Sequence, residues 1–179
     1  MTGRTRLMRL LHDRSATAAV EFAIILPVML VLYLGTFEAS HLIMTKRKVE
    51  SAAEAVAGIV ARSPEMDMTR LRNVLLVFDG IAGDVEGDDP KITITTVRTD
   101  ANGKATVDWQ RVGTAAGVAA GTPFQLADDL AGLADTYFVV TRVEYRFAPT
   151  FDFGGMFKAM KFDRTFSFRP RKGAEVAWK

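Results

Sequence analysis

The stretch Phe22–Phe37, FAIILPVMLVLYLGTF, runs for 16 residues without a charge. Small and apolar residues extend it on both sides, from Thr17 to Val20 and from Ala39 to Met44. The polar residues inside these limits, Glu21, Glu38 and His41, stand near the ends. A helix that crosses a bilayer needs about 20 mostly apolar residues, so this segment is long enough, with a span expected at about residues 20–44. A buried core helix is the competing reading, but core helices seldom stay apolar on every face for so long. Pro27 lies within the segment. It removes one backbone donor and is expected to kink or loosen the helix, a defect that membrane helices tolerate where neighbours re-satisfy the backbone.

Charge is unevenly divided around this segment. Of the chain's 23 basic and 21 acidic residues, positions 1–16 hold four arginines (Arg4, Arg6, Arg9, Arg14) and a single acid, Asp13. The remainder is close to neutral, so the basic character belongs to the leader and not to a folded face. Nucleic-acid binding requires clustered Lys and Arg on the domain itself and is not expected. Beyond the apolar run come Lys46, Arg47 and Lys48. The slight excess of arginine on the N-terminal side favours a cytoplasmic N-terminus and a C-terminal domain outside. An ordinary secretory signal ends in small residues after its apolar core. Here Ser15, Ala16, Thr17, Ala18 and Ala19 precede it instead.

The run Arg14-Ser15-Ala16-Thr17-Ala18-Ala19-Val20-Glu21-Phe22-Ala23, followed by Ile25-Leu26-Pro27-Val28, resembles the start of TadE-like pseudopilins of the tight-adherence pilus system. That resemblance implies processing by a prepilin peptidase on the cytoplasmic side. It also implies a glutamate five residues into the mature chain, with an aromatic residue after it. Glu21 and Phe22 fit these positions and put the cut between Ala16 and Thr17, with Ser15–Ala16 as the alternative. Ala16 stands where the family usually has glycine. The resemblance further gives Glu21 a role in assembly, its carboxylate meeting the freed amine of a neighbouring subunit. A carboxylate at mid-bilayer costs about 2.5–3.5 kcal/mol on insertion scales, and less near a helix end.

The expected organisation is a basic leader over 1–16, a long helix over 17–62, and an extracytoplasmic α+β domain over 63–179. Thr45–Arg62 is rich in good helix formers and repeats Val49, Ala52, Ala53, Val56, Ile59 and Val60 at helical spacing. No turn signal separates it from the apolar run, so one helix about 69 Å long is expected. Ser63-Pro64-Glu65 reads as the start of a second helix, with Leu71, Val74, Leu75, Phe78 and Ile81 on one face and an end near Gly80–Gly83. Alternating residues at 92–96, an Asn102-Gly103 turn, a strand over Lys104–Val112 with Ala105, Val107 and Trp109 on one face, a loop over Gly113–Thr122, a short helix over Phe124–Leu133, a strand over Tyr137–Phe147 and a last strand at Thr165–Phe168 complete the pattern. The fold class is α+β and pilin-like: a long N-terminal helix packed on a small antiparallel sheet with one or two extra helices. The ending Arg169-Pro170-Arg171 and Trp178 resemble the same family more weakly.

No catalytic set is expected. There is no cysteine, and the two histidines, His12 and His41, lie far from any full partner set with metal-ligand spacing; Glu38 and His41, three apart, share a helix face but have no further ligands in view and read as an interfacial pair. The acidic run Asp84, Glu86, Asp88 and Asp89 has Asp89 and Thr95 where a calcium loop needs glycine and glutamate. The aromatic group Phe147, Phe151, Phe153, Phe157 and Phe162 reads as core or as a contact surface. No cofactor, no metal and no enzymatic activity are therefore expected. By resemblance, the partners are the prepilin peptidase, other minor pseudopilins, the major pilin, the inner-membrane assembly platform and membrane lipid. The protein would sit in a bacterial inner membrane with its domain periplasmic and serve surface attachment. The alternative is an uncleaved single-pass anchor carrying a binding or sensor domain.

Overall fold

The computed structural model describes residues 14–85, 87–151, 155, 158–170 and 175–179. Most of the leader, Glu86, Phe153, Phe157 and Arg171 lie outside the described residues. The chain divides into two compact units, Met1–His41 and Leu42–Lys179.

Helix α1, Arg14–Arg62, spans 49 residues and runs unbroken through Pro27. Within the first unit its apolar side chains are exposed on all sides, from Val20 and Phe22 through Leu30 to Tyr33, which is 69% exposed. Within the second unit α1 is amphipathic. Val49, Ala52, Ala53, Val56 and Val60 are buried as the periodicity predicts, and Ile59 packs at their margin. Alanine at 52 and 53 leaves no bulk to hold the helix off the sheet.

The sequence places a helix start at Ser63, but the structure puts it later. The Ser63 hydroxyl donates back to the Ile59 carbonyl at 3.0 Å. Glu65–Met66 then forms a short strand, β1. Helix α2 comes next at Met68–Ala82, capped by Asp67, whose carboxylate accepts from the Arg70 amide at 2.8 Å. With the serine side chain already engaged by α1, aspartate supplies the cap. Leu71, Val74 and Phe78 are buried, whereas Ile81 is exposed and Ala82 takes the inner position. Gly83, at φ 65°, ends the helix.

Strands β2 (Lys91–Thr99), β3 (Ala105–Val112), β4 (Ala115–Ala116), β5 (Tyr137–Phe147) and β6 (Met160–Phe168) form an antiparallel sheet in the order β4-β3-β2-β5-β6. β5 has the span read from sequence. β6 is longer than expected, and β4 arises within the expected loop. Strand β7, Ala177–Trp178, pairs in parallel with β1, a contact between residues more than 100 positions apart that no local pattern announces. No helix forms over 124–133. Leu130 and Ala131 both donate to the Ala127 carbonyl, closing one turn that Gly132 stops at φ 82°.

Trp109 departs from the alternation. Thr96 pairs with Trp109 but Val97 pairs with Val107, so Asp108 is an extra residue in β3. Such a bulge reverses the facing of the residues beyond it. Ala105 joins Val97, Leu126, Phe138 and Val140 on the outer face, while Trp109 joins the core under α1. The Thr96 hydroxyl pins the bulge by accepting from the Trp109 amide at 3.1 Å and donating to its carbonyl at 3.2 Å.

The Asn102-Gly103 turn joins β2 and β3 as the sequence predicts. Gly103 sits at φ 76°, and a Cβ there would come within 2.8 Å of the Gly132 backbone. Gly103→Ala is therefore expected to cost about 1–3 kcal/mol, read as a lower denaturation midpoint of the detergent-solubilised chain.

Candidate functional site

The residues singled out by sequence lie at the start of α1. Ala16 and Thr17 fall in its first turn, and Thr17 is exposed. Glu21 is exposed one turn further on. Since residues four apart share a helix face, its carboxylate stands over Thr17. Phe22 follows at 64% exposure. Pro27, also exposed, lies within the apolar stretch. Thr17, Glu21, Phe22 and Pro27 are thus exposed along one helical segment, with Glu21 as its acidic side chain. Near the other end of this unit Phe37 and His41 stack with ring centroids 6.2 Å apart. Glu38, read from sequence as interfacial, is buried.

The domain offers no catalytic constellation among its described residues, and no group of three His, Cys, Asp or Glu side chains there could hold a metal ion. Asp84, Asp88 and Asp89 are exposed on the loop before β2, with Asp88 3.9 Å from Arg146. The outer sheet face bears an open groove of about 870 Å³ lined in part by Thr93, Thr95, Gln110 and Arg142. Thr95, Gln110 and Arg142 are already engaged with protein partners. Gln110 Nε2 donates to Thr95 Oγ1 at 2.7 Å, and its Oε1 accepts from the Val118 amide at 3.0 Å. Arg142 pairs with Asp163 and with Glu144. The guanidinium of Arg142, by hydrogen bond first, holds the Asp163 carboxyl below its ordinary range.

What sequence reasoning missed is the β1–β7 junction. The Trp109 indole donates to the Val176 carbonyl at 2.7 Å, and Trp178 packs tilted against Trp109, with centroids 5.1 Å apart and planes at 55°. The signal available was tryptophan near the end of the chain.

A helix long and apolar enough to cross a membrane, Thr17–Arg62, continuing onto an antiparallel sheet, gives an α+β chain with one candidate membrane span among its described residues. The narrower statement comes from comparison. Residues 16–57 match the family model of the TadE-like proteins, so the segment that carries Glu21 and the apolar run is TadE-like. No curated protein and no solved structure matches the chain.

Proposed function

We propose that the chain is a minor pseudopilin of tight-adherence pilus biogenesis, cut by a prepilin peptidase and assembled with other pilins for surface attachment. The observation that carries this reading is the TadE-like match over residues 16–57, a stretch that includes Ala16, Thr17, Glu21, Phe22 and Pro27. The peptidase removes the leader at Ala16–Thr17. Glu21 then pairs with the new amine of a neighbouring subunit, a contact favoured because neither charge is well solvated at the bilayer. Pro27 gives the helix room to adapt between lipid and filament. The domain, held in the periplasm, selects among the other pseudopilins, the major pilin and the assembly platform. Its role is non-enzymatic.

The test is mass spectrometry of the N-terminus in cells with and without the prepilin peptidase. A mature chain starting at Thr17, found only with the peptidase, is expected. A chain starting at Met1 in both strains would sink the proposal in favour of an uncleaved anchor with a binding domain.

A further inference from the structure

Helix α2 buries one face and leaves the other bare. Leu71, Val74, Phe78 and Ala82 are buried in the core. The opposite face carries Asn73, Leu76, Val77 and Gly80, all exposed. Leu76 is 65% exposed and Val77 41%, with Ile81 beside them at 39%. Scattered apolar side chains are ordinary on a surface, but three within two turns of one helix make a patch. Gly80 stands in it. A Cβ on Gly80 would meet nothing within 4 Å, and Gly83 already ends the helix. Packing inside the chain therefore does not require glycine at 80, although glycine costs a helix about 1 kcal/mol relative to alanine. What it supplies is room for a second helix to come close.

Charge decides which helix that is. The first half of α2 carries Arg70 and Arg72, and the second half carries Asp79. Arg70 is tied to Glu65 and Asp67. Arg72 and Asp79 are exposed and form no ion pair among the described residues. Seven residues apart, they share one flank of the bare face, about 10.5 Å from each other along the axis, with Leu76 between them. A two-fold axis beside Leu76 and perpendicular to α2 sets a second α2 antiparallel to the first. It keeps each flank on its own side and brings Arg72 of each copy level, to about 1.5 Å, with Asp79 of the other. Leu76 then packs on Leu76, and Asn73 passes over Gly80. A parallel pairing would instead set Arg72 beside Arg72 and Asp79 beside Asp79.

We propose that the exposed face of α2 is a contact between two copies of this chain, paired antiparallel with Leu76 on the two-fold axis and Arg72 against Asp79 twice. Two helices about 22 Å long bury less than the roughly 1,200 Å² at which stable complexes begin, so the pair forms and parts readily. The inference concerns the domain alone and holds whether or not the leader is cut.

The test uses the purified full chain in detergent. The chain has no cysteine, so Leu76→Cys and Asn102→Cys each carry a single thiol, the first on the axis and the second exposed at the β2–β3 turn. Oxidation with copper phenanthroline is expected to link Leu76→Cys into a disulfide dimer about tenfold faster than Asn102→Cys, because the axis brings the two Cα atoms within disulfide reach. Arg72→Asp or Asp79→Arg, added to Leu76→Cys, sets like charges together twice and is expected to lower the rate to that of Asn102→Cys. An equal mixture of these two variants sets opposite charges together at both places. It is expected to recover about half of the original rate, since half of the encounters join unlike chains. Both changes are at exposed positions and are expected to keep the parent melting temperature. Leu76→Cys linking no faster than Asn102→Cys overturns the self-pairing and leaves the face to a different protein. Fast linking that neither charge change slows overturns the antiparallel register. Slowed linking that the mixture does not recover overturns the two-fold contact.

Discussion

Val56→Asp is expected to abolish the folded domain while leaving the chain in the membrane. Val56 is fully buried, in the cluster that joins α1 to the sheet. An aspartate there either carries an unpaired charge into that cluster or stays protonated at a large shift in its pKa. Either way the cost is several kcal/mol, set against a total of about 5–15 kcal/mol for a domain. Val56→Ala, which removes two methyl groups and leaves a small cavity, is expected to cost about 2 kcal/mol and to keep the fold. Ser51→Asp, exposed on the same helix, is the control and is expected to be close to neutral. Limited proteolysis of membranes reads all three. Rapid loss of residues beyond about 45 in Val56→Asp alone, with the apolar segment still in the membrane fraction, is the expected result. Resistance equal to the parent chain would mean that α1 is not integral to the domain.

That interface was open to sequence reading because both of its periodicities are local. The helical spacing of Val49, Ala52, Ala53, Val56 and Val60 and the two-residue alternation of β5 each declare a buried face, and both faces are buried as read. The start of α1 was readable for another reason: an uncharged run beside a basic leader depends on composition alone. The failures are non-local. Ser63 has the chemistry of a cap, but its hydroxyl bonds back to Ile59, and nothing in the residues after it shows that. The inward turn of Trp109 depends on Asp108 bulging against Thr96, a choice made between strands. Phe124–Leu133 has helix-forming residues, yet Phe124, Leu130 and Leu133 are drawn onto the outer sheet face over Phe138 and Val140. Tertiary packing outweighs a propensity of a few tenths of a kcal/mol per residue.

Removal of residues 175–179 is expected to melt the domain as thoroughly as Val56→Asp, although of these residues the sequence singles out Trp178 alone. The Val176 side chain is fully buried, and its carbonyl accepts from the Trp109 indole at 2.7 Å, while the Tyr137 hydroxyl beside it, 3.2 Å away, donates to Asp108 Oδ2 at 2.7 Å. Burial, before any hydrogen bond, pushes the Tyr137 hydroxyl up from its ordinary pKa, so it remains a proton donor at neutral pH. Trp178 covers Trp109 and lies under the Arg111 guanidinium, 3.9 Å from its ring centre. Lys179 donates its amide to the Met66 carbonyl at 2.9 Å and pairs with Glu65. Losing the burial of Val176 and Trp178 removes about 2 kcal/mol each, and stranding the buried indole donor adds about 1–3 kcal/mol. The total is comparable to the whole stability of a modest domain. Trp109→Phe separates the terms: it keeps most of the ring packing and removes the donor to the Val176 carbonyl, for an expected loss of about 1–3 kcal/mol. The junction also responds to acid. Lys179, by hydrogen bond first and then by charge, with Arg70 assisting, lowers the Glu65 carboxyl below its ordinary value of 4.5. Its contribution is therefore present above that value and fades as pH falls through the lowered one. Melting of the detergent-solubilised chain followed by tryptophan fluorescence, which reports Trp109 and Trp178 directly, is expected to show this acid-side loss in the parent chain and not in Glu65→Gln. A truncated chain that melts at the parent temperature would show instead that α1, α2 and the five-stranded sheet hold together without β7.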